Sequence, residues 1–449
     1  MEVLVSALSP RPVRRRAAMA LVLVLWVLVI LTVLIVAMAQ NTRLENAIRM
    51  AAGDRVTARW AARAGIHQGL GLLRQDGGTT DGLYDSWYEN PGRFQEVPLF
   101  SASFTVLADR FKLNHEFSYG LEDEAAKVNL NTAGREAILA LPEMNETIVA
   151  AILAWRNTRR VSGGETDSPT IQTIVESALQ IPSLTSFLTI REAGLLPEVN
   201  RKILYGEDTN RNGVLDTNEN DGDRMDPPDN EDGRLDRGLL AYVTVYSYDW
   251  NRDGRGRRRI NINTAPLAVL ETELELSYPH ALWILENRVV KMKSIASLLM
   301  VDKAPEQGTG LAGGSEEAEP LDLQTFRRIA DRITVTDEDR IPGRININTA
   351  GKAVLQTLPG ITEPLAINIV EARTALSEGY TSIAELLLVP GITIDLFMDI
   401  AELITVRSNV FTIRSCGRAE RTGIQHTVEA VVDRGQDPPM VLYWKECDY

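Results

Sequence analysis

Hydrophobic positions fall along this chain in three regimes. The first is an unbroken apolar run, AAMALVLVLWVLVILTVLIVAMA at residues 17–39, preceded by Arg14, Arg15 and Arg16. At about 1.5 Å of rise per residue it forms a helix of roughly 35 Å, long enough to cross a bilayer. Arginines before such a span stay cytoplasmic, which places everything after residue 40 outside the inner membrane. A cleaved signal peptide is the rival reading, but its apolar core is usually shorter, about 7–15 residues, and ends at a small-residue cleavage site. The chain then runs without proline from Asn41 to Asp76, with Leu44, Ile48, Ala52, Val56 and Trp60 spaced four apart. That spacing predicts one long helix, embedded in lipid in its first half, whose second half packs this stripe on a folded domain.

The second regime is alternation. Residues 77–100 are rich in Gly, Pro and Asp and read as a loop. SASFTVLA (101–108) and LNHEFSYG (113–120) then read as a hairpin, and strands return at 409–417, 424–433 and 440–446. Turn signals at Gly417, Gly423, Gly435 and Pro438-Pro439 separate these last strands. A small antiparallel sheet is thus begun in 77–123 and completed in 406–449, around an inserted helical region, 124–405. The fold class is α+β.

The third regime is helical and repeats. VNLNTAGREAIL from Val128, RININTAPLAVL from Arg259 and RININTAGKAVL from Arg344 each place two asparagines two apart. The pairs are Asn129 and Asn131, Asn261 and Asn263, and Asn346 and Asn348. Extended geometry sets each pair on one face, and the second Asn or the following Thr is predicted to cap a helix. A second helix in each unit ends near Arg156, Arg288 or Arg373. These are helix-hairpin-helix units, near 128–190, 259–302 and 344–405. Weaker echoes follow at 170–184 and 382–392.

Charge changes what the repeats imply. The formal net charge is -14 and the pI near 5.0, which opposes a general affinity for nucleic acid. DNA-binding units of this kind offer glycine-rich hairpins to a phosphate. Here the hairpins read LPEMNE, ELELSY and LPGITE, so Glu143, Glu146, Glu273, Glu275 and Glu363 would face it. The expectation is a helical module that packs on itself or on protein.

Between the first two repeats, residues 207–237 are densely acidic. DTNRNGVLDTNE fits a calcium-loop spacing, with Asp208, Asn210, Asn212, Val214, Asp216 and Glu219 at its ligand positions. Asp221, Asp223, Asp232 and Asp236 are candidates for a second site. A solvated loop is the plainer alternative. Cys416 and Cys447 fall in strands of one small sheet, and a disulfide between them depends on strand register. His67, His115, His280 and His426 are scattered, and no GxSxG, HExxH or P-loop is present. No enzyme is expected.

The basic tip, long helix, C-terminal sheet and inserted NLNTA units together resemble the minor pseudopilin K family of the type II (general) secretion pathway. FSYGLEDEAAKVNLNTA and SCGRAERTGIQHTVEAVV carry the resemblance alongside the acidic segment. It implies a prepilin with a leader in residues 1–17, cut by prepilin peptidase near Ala17, Ala18 and Met19, and a helix over 18–76. It also implies a subunit that starts or caps a periplasmic pseudopilus, with other minor pseudopilins and the inner-membrane secretion platform as partners. Most such subunits carry Glu at the fifth mature position; here Val22 or Leu23 stands there. A buried Glu needs the amino terminus of a preceding subunit, which a first subunit lacks. Two alternatives stay open: a membrane-tethered DNA-binding or DNA-uptake protein, and a minor subunit of a type IV pilus.

Overall fold

The computed structural model describes residues 13–108, 118–157, 186–208, 215–225, 228–288, 291–299 and 318–448. Its first element, α1 (Val13–Gln75), is a single helix, roughly 95 Å long at the standard rise. Residues 19–50 are exposed throughout. Their most apolar 18-residue window has a mean hydropathy of 3.3, enough for a single membrane span by length and composition.

From Asp54 onward one face of α1 lies on a sheet. Three strands precede the insertion: β1 (Val97–Leu99), β2 (Ala102–Leu107) and β3 (Glu122–Asp123). Within the insertion come β4 (Val128–Asn129), β5 (Val243–Thr244), β6 (Tyr248–Trp250), β7 (Ile260–Asn261), β8 (Ile333–Thr334), β9 (Arg340–Pro342), β10 (Ile345–Asn346) and β11 (Ile404–Thr405). After it come β12 (Val410–Ala419), β13 (Gln425–Asp433) and β14 (Met440–Asp448). The main sheet runs β1-β2-β12-β13-β14, with β3 beside β12, and its pairs are antiparallel. The stretch read as a loop holds β1 and a helical turn, Pro91–Phe94. Ala108 bridges Ser118, which closes the expected hairpin, while its residues 113–117 lie outside the described ones.

Why α1 sits where it does follows from its small residues. Ala58, Ala61, Ala62 and Ile66 are buried against the sheet. A Cβ on Gly417 of β12 would lie 2.0 Å from the Ala58 carbonyl oxygen and 2.4 Å from the Ala62 nitrogen. One on Gly65 would lie 2.1 Å from Ser415 Oγ. Helix and strand backbones therefore meet with no side chain between them, which fixes the rotation of α1 about its axis. The predicted stripe does not pack on the domain. Leu44, Ile48, Val56 and Trp60 are all more than half exposed on the outward side, because the sheet admits only small residues at this approach.

The end of α1 is also tied by charge. Glu446 of β14 accepts from Arg63 at 2.7 Å, Arg59 at 2.7 Å and Trp444 Nε1 at 3.0 Å. Burial opposes ionisation of this carboxyl, but these donors outweigh it and lower the pKa to about 2. Beneath the helix end, Arg434 joins Asp76 and the buried Asp81.

The inserted region has its own, larger core, running continuously from Val128 to Val406. Asp249 is buried between Arg259 at 2.9 Å and Arg344 at 3.2 Å, so one carboxylate holds the entries of the second and third repeats. Asn346 joins the third repeat to the first part of the sheet, donating to Asp81 O, Asp123 Oδ2 and Ser408 Oγ.

Two outcomes follow. Gly417→Ala must push α1 off β12, so denaturant unfolding should show a loss of about 1–3 kcal/mol, the usual cost of overpacking. For Glu446 the folded pKa is depressed, so its contribution is present above the unfolded value near 4.5 and lost as pH falls towards 2. Glu446→Gln should therefore lower the melting temperature at pH 7 but hardly at pH 2.

Candidate functional site: an outward helix face, a repeated cassette and an acidic segment

The three asparagine motifs share one wiring. The chain turns at the first asparagine, whose side chain accepts from the backbone of the second: Asn131 N to Asn129 Oδ1 at 2.9 Å, and 3.0 Å for both Asn263 to Asn261 and Asn348 to Asn346. The second asparagine grips both backbone groups of one distant residue. Asn131 does this to Phe187, Asn263 to Met292 and Asn348 to Tyr380, at 2.8–3.0 Å. These residues do not cap the helices as predicted. The helix N-caps are Gly134, Pro266 and Gly351, none with a side-chain cap bond.

The arginines complete the cassette. Nη1 of Arg156 donates to Leu130 and Ala133, that of Arg288 to Ile262 and Ala265, and that of Arg373 to Ile347 and Ala350. Each unit closes with a two-residue parallel ladder: β4 with β5, β7 with β8, and β10 with β11. The repeats therefore span 128–244, 260–334 and 345–405. Sequence reading missed the arginine's task, although Asn129 to Arg156, Asn261 to Arg288 and Asn346 to Arg373 span the same 27 positions. The echo of the first unit expected at 170–184 lies outside the described residues; a 3-10 helix at Ile190–Leu195 and a helix at Arg201–Tyr205 follow it in the chain.

The hairpins are poor phosphate sites. Glu143, Glu275 and Gly360 hold the matching left-handed position, with φ of 61, 58 and 72°, and two of the three project a carboxylate. Nearby cations are already paired: Lys352 with Glu363 at 2.7 Å, Arg135 with Glu146, and Arg332 with Glu275 at 3.4 Å. Acidic side chains and spent cations oppose a nucleic-acid backbone.

In the acidic segment, Asp208 and Glu219 are buried and Asp216 half-buried, while Asn210, Asn212 and Val214 lie outside the described residues. Asp216 is the N-cap of a single 3-10 turn, Thr217–Glu219, and its N–H donates to Glu219 Oε2 at 3.0 Å. The ninth and twelfth loop positions are thus locked together without an exiting α-helix. The proposed second set is not assembled: Asp223, Asp232 and Asp236 are exposed, and only Asp221 is buried. Among the described residues, Asp221 Oδ2 is nonetheless buried without a hydrogen-bond partner, as is Oε1 of Glu207, a residue the sequence reading left out. Burial, and then the charges of Asp236 and Asp229, raise the Glu207 pKa. Carboxylate oxygens buried in this way suit a hard cation such as Ca2+.

The one carboxylate triplet whose oxygens converge, among the described residues, is Asp76, Asp81 and Asp85. Arg434 already engages the first two, and Asp85 accepts from Gly82 N at 2.8 Å. A guanidinium stands where a metal would.

The strand register holds the two cysteine positions apart. Cys416 and Cys447 both lie opposite Thr427, on the two flanking strands. Two strand spacings put them roughly 10 Å apart, beyond disulfide reach. Cys416 is a free thiol. Ala17, Ala18 and Met19 fall in the first turns of α1. His426 is buried 3.5 Å from Glu446, His67 is exposed, His280 is half-buried, and His115 is outside the described residues.

A helix-hairpin-helix motif family model matches residues 343–405, the third repeat. No curated protein matches the chain. Among solved structures it is similar to the GspK-GspI-GspJ complex of the type 2 secretion system of enterotoxigenic Escherichia coli. The TM-score is 0.41 at 14% identity, over 91% of this chain and 100% of that one.

Asn348→Ala would strand the buried N–H and C=O of Tyr380, at about 1–3 kcal/mol for each unmet group. Urea unfolding should show a loss larger than that of Asn368→Ala, whose amide donates only to Pro390 on the surface.

Proposed function

We propose that this chain is a single-pass, membrane-anchored minor pseudopilin that starts or caps the tip of a periplasmic type II secretion pseudopilus. The observation that carries the reading is the outward face of α1. Its apolar residues extend past the membrane span to Val56 and Trp60, on a helix whose rotation is locked by the sheet. A soluble domain has no use for such a face; a subunit that packs its helix against other helices does. The sequence resemblance supports the same reading.

Placement at the tip follows from charge and bulk. No acidic residue stands between Val13 and Leu44, so no buried carboxylate waits for a preceding subunit. The inserted region would collide with neighbours in a tightly wound shaft but not at its end. Cleavage of the leader near Ala17 to Met19 by prepilin peptidase, and seating on the inner-membrane platform, belong to the same proposal. So does an ectodomain in the periplasm.

Ca2+ is proposed as a structural ion of the 207–236 segment, with Asp208, Asp216 and Glu219 as ligands that binding would have to draw together, since their oxygens do not converge here, and with Glu207 next to Asp208 in the chain. Bound at about one hundred times its Kd, one ion adds about 2.7 kcal/mol. Because the Glu207 pKa is raised, its ionisation costs stability as pH rises through the folded value when no cation is present. Calcium should therefore raise the melting temperature more at pH 8 than at pH 5, and Glu219→Gln should cut that rise. Equal melting with Ca2+ and with chelator at pH 8 would remove the ion from the account.

The partner claim is tested by Ile48→Glu and Trp60→Glu. Both sites are exposed, so melting should be unchanged, while co-purification of other pilin-like subunits from membranes should fall at least tenfold, about 1.4 kcal/mol of binding. Undiminished recovery would contradict the proposal.

A further inference from the structure

A polar cleft of about 720 Å³ opens where the end of α1, the β13–β14 turn and the entry of the second repeat meet. Most of its acidic lining is neutralised in place. Asp76 and Asp81 share Arg434, Asp249 lies between Arg259 and Arg344, and Asp253 pairs with Arg257 at 2.9 Å. Asp437 is the only lining carboxylate without an ion pair among the described residues.

The cations facing it are different. Arg74 and Arg252 line the cleft, and the exposed Arg255 lies three residues beyond Arg252. Among the described residues none of the three has a carboxylate within ion-pair distance. Arg340 also lacks one, and stacks 4.5 Å from the ring centre of Trp250, which lines the cleft; Arg252 stands 5.6 Å from the same ring. In a chain of formal net charge -14, Arg74 and Arg252 are thus cleft-lining cations without a carboxylate partner among the described residues, beside the Trp250 ring. The stacking restrains two guanidiniums before anything binds, and their forked N–H groups match carboxylates.

We infer that this cleft is a docking site for a carboxylate-rich segment of a partner polypeptide. Charge complementarity selects the occupant: the free cations lie outside the internal ion pairs, and the cleft is too polar for an apolar helix. Opposite charge in a partly enclosed groove acts over about one Debye length, roughly 8 Å at physiological salt, so the acidic remainder of the surface does not cancel it. The inference stands independently of the tip placement.

The test uses the full chain in a neutral detergent, with a dye-labelled oligoglutamate peptide followed by fluorescence anisotropy. Binding should be measurable at low salt and weaken as salt rises. R252E/R255E should weaken it by about tenfold or more, while R201E, a reversal of another exposed arginine, should leave it within about twofold. Should the double variant fail to fold, R74E on α1 carries the same expectation. Unchanged binding by R252E/R255E, or an equal loss in R201E, overturns the inference. So does preferential binding of a single-stranded oligonucleotide of equal charge, which would make the groove a nucleic-acid site.

Discussion

The contact on which the rest depends is backbone against backbone: α1 at Ala58 and Ala62 lying directly on β12 at Gly417. A helix seated on side chains can roll by a rotamer change. One seated on a strand's main chain cannot, because there is nothing to rearrange. The rotation fixed there is inherited by the whole helix. It turns Leu44, Ile48, Val56 and Trp60 outward, and it brings Arg59 and Arg63 over Glu446. Small residues of this helix hold the domain, and its large apolar ones are left exposed.

The inserted region solves a different problem. Helix-hairpin-helix units are short, and short helices do not persist without tertiary support. Each unit here is closed by hydrogen bonds among its own motif residues: an asparagine turn, a second asparagine gripping a distant backbone, an arginine on two carbonyls and a two-residue ladder. Repeating that cassette three times builds a large core without requiring the glycine hairpins of a phosphate reader. Asp249 and Asn346 then bind the repeats to each other and to the sheet. The matched family model covers only the third unit, yet the same hydrogen bonds recur in the first two.

Much of this was legible. Apolar length gave the span, alternation gave the strands, and the NLNTA recurrence gave the repeats. What was not legible depended on partners distant in sequence. The four-apart stripe of α1 reads as inward-facing in sequence because periodicity reports that a helix has an apolar face, not which surface it meets. The small residues that bury instead, Ala58, Ala61, Ala62 and Gly65, carry little hydrophobic signal. Asn131 and Asn348 looked like caps because their bonds to Phe187 and Tyr380 cross long stretches of chain. The cysteines shared a sheet, but only register shows Thr427 standing between them. Glu207 stood one position before a recognisable metal spacing, and its burial is a tertiary fact.

The central claim, that the outward face of α1 is an interface with other membrane-anchored subunits, is most directly tested by a photoreactive residue at position 56 of the full chain in its native membrane. Crosslinking to the long N-terminal helix of a second pilin-like protein, absent when the probe is moved to buried position 62, is the predicted result. Recovery of the chain as an uncrosslinked monomer, with its apolar helix removed and the rest freely soluble, would contradict it.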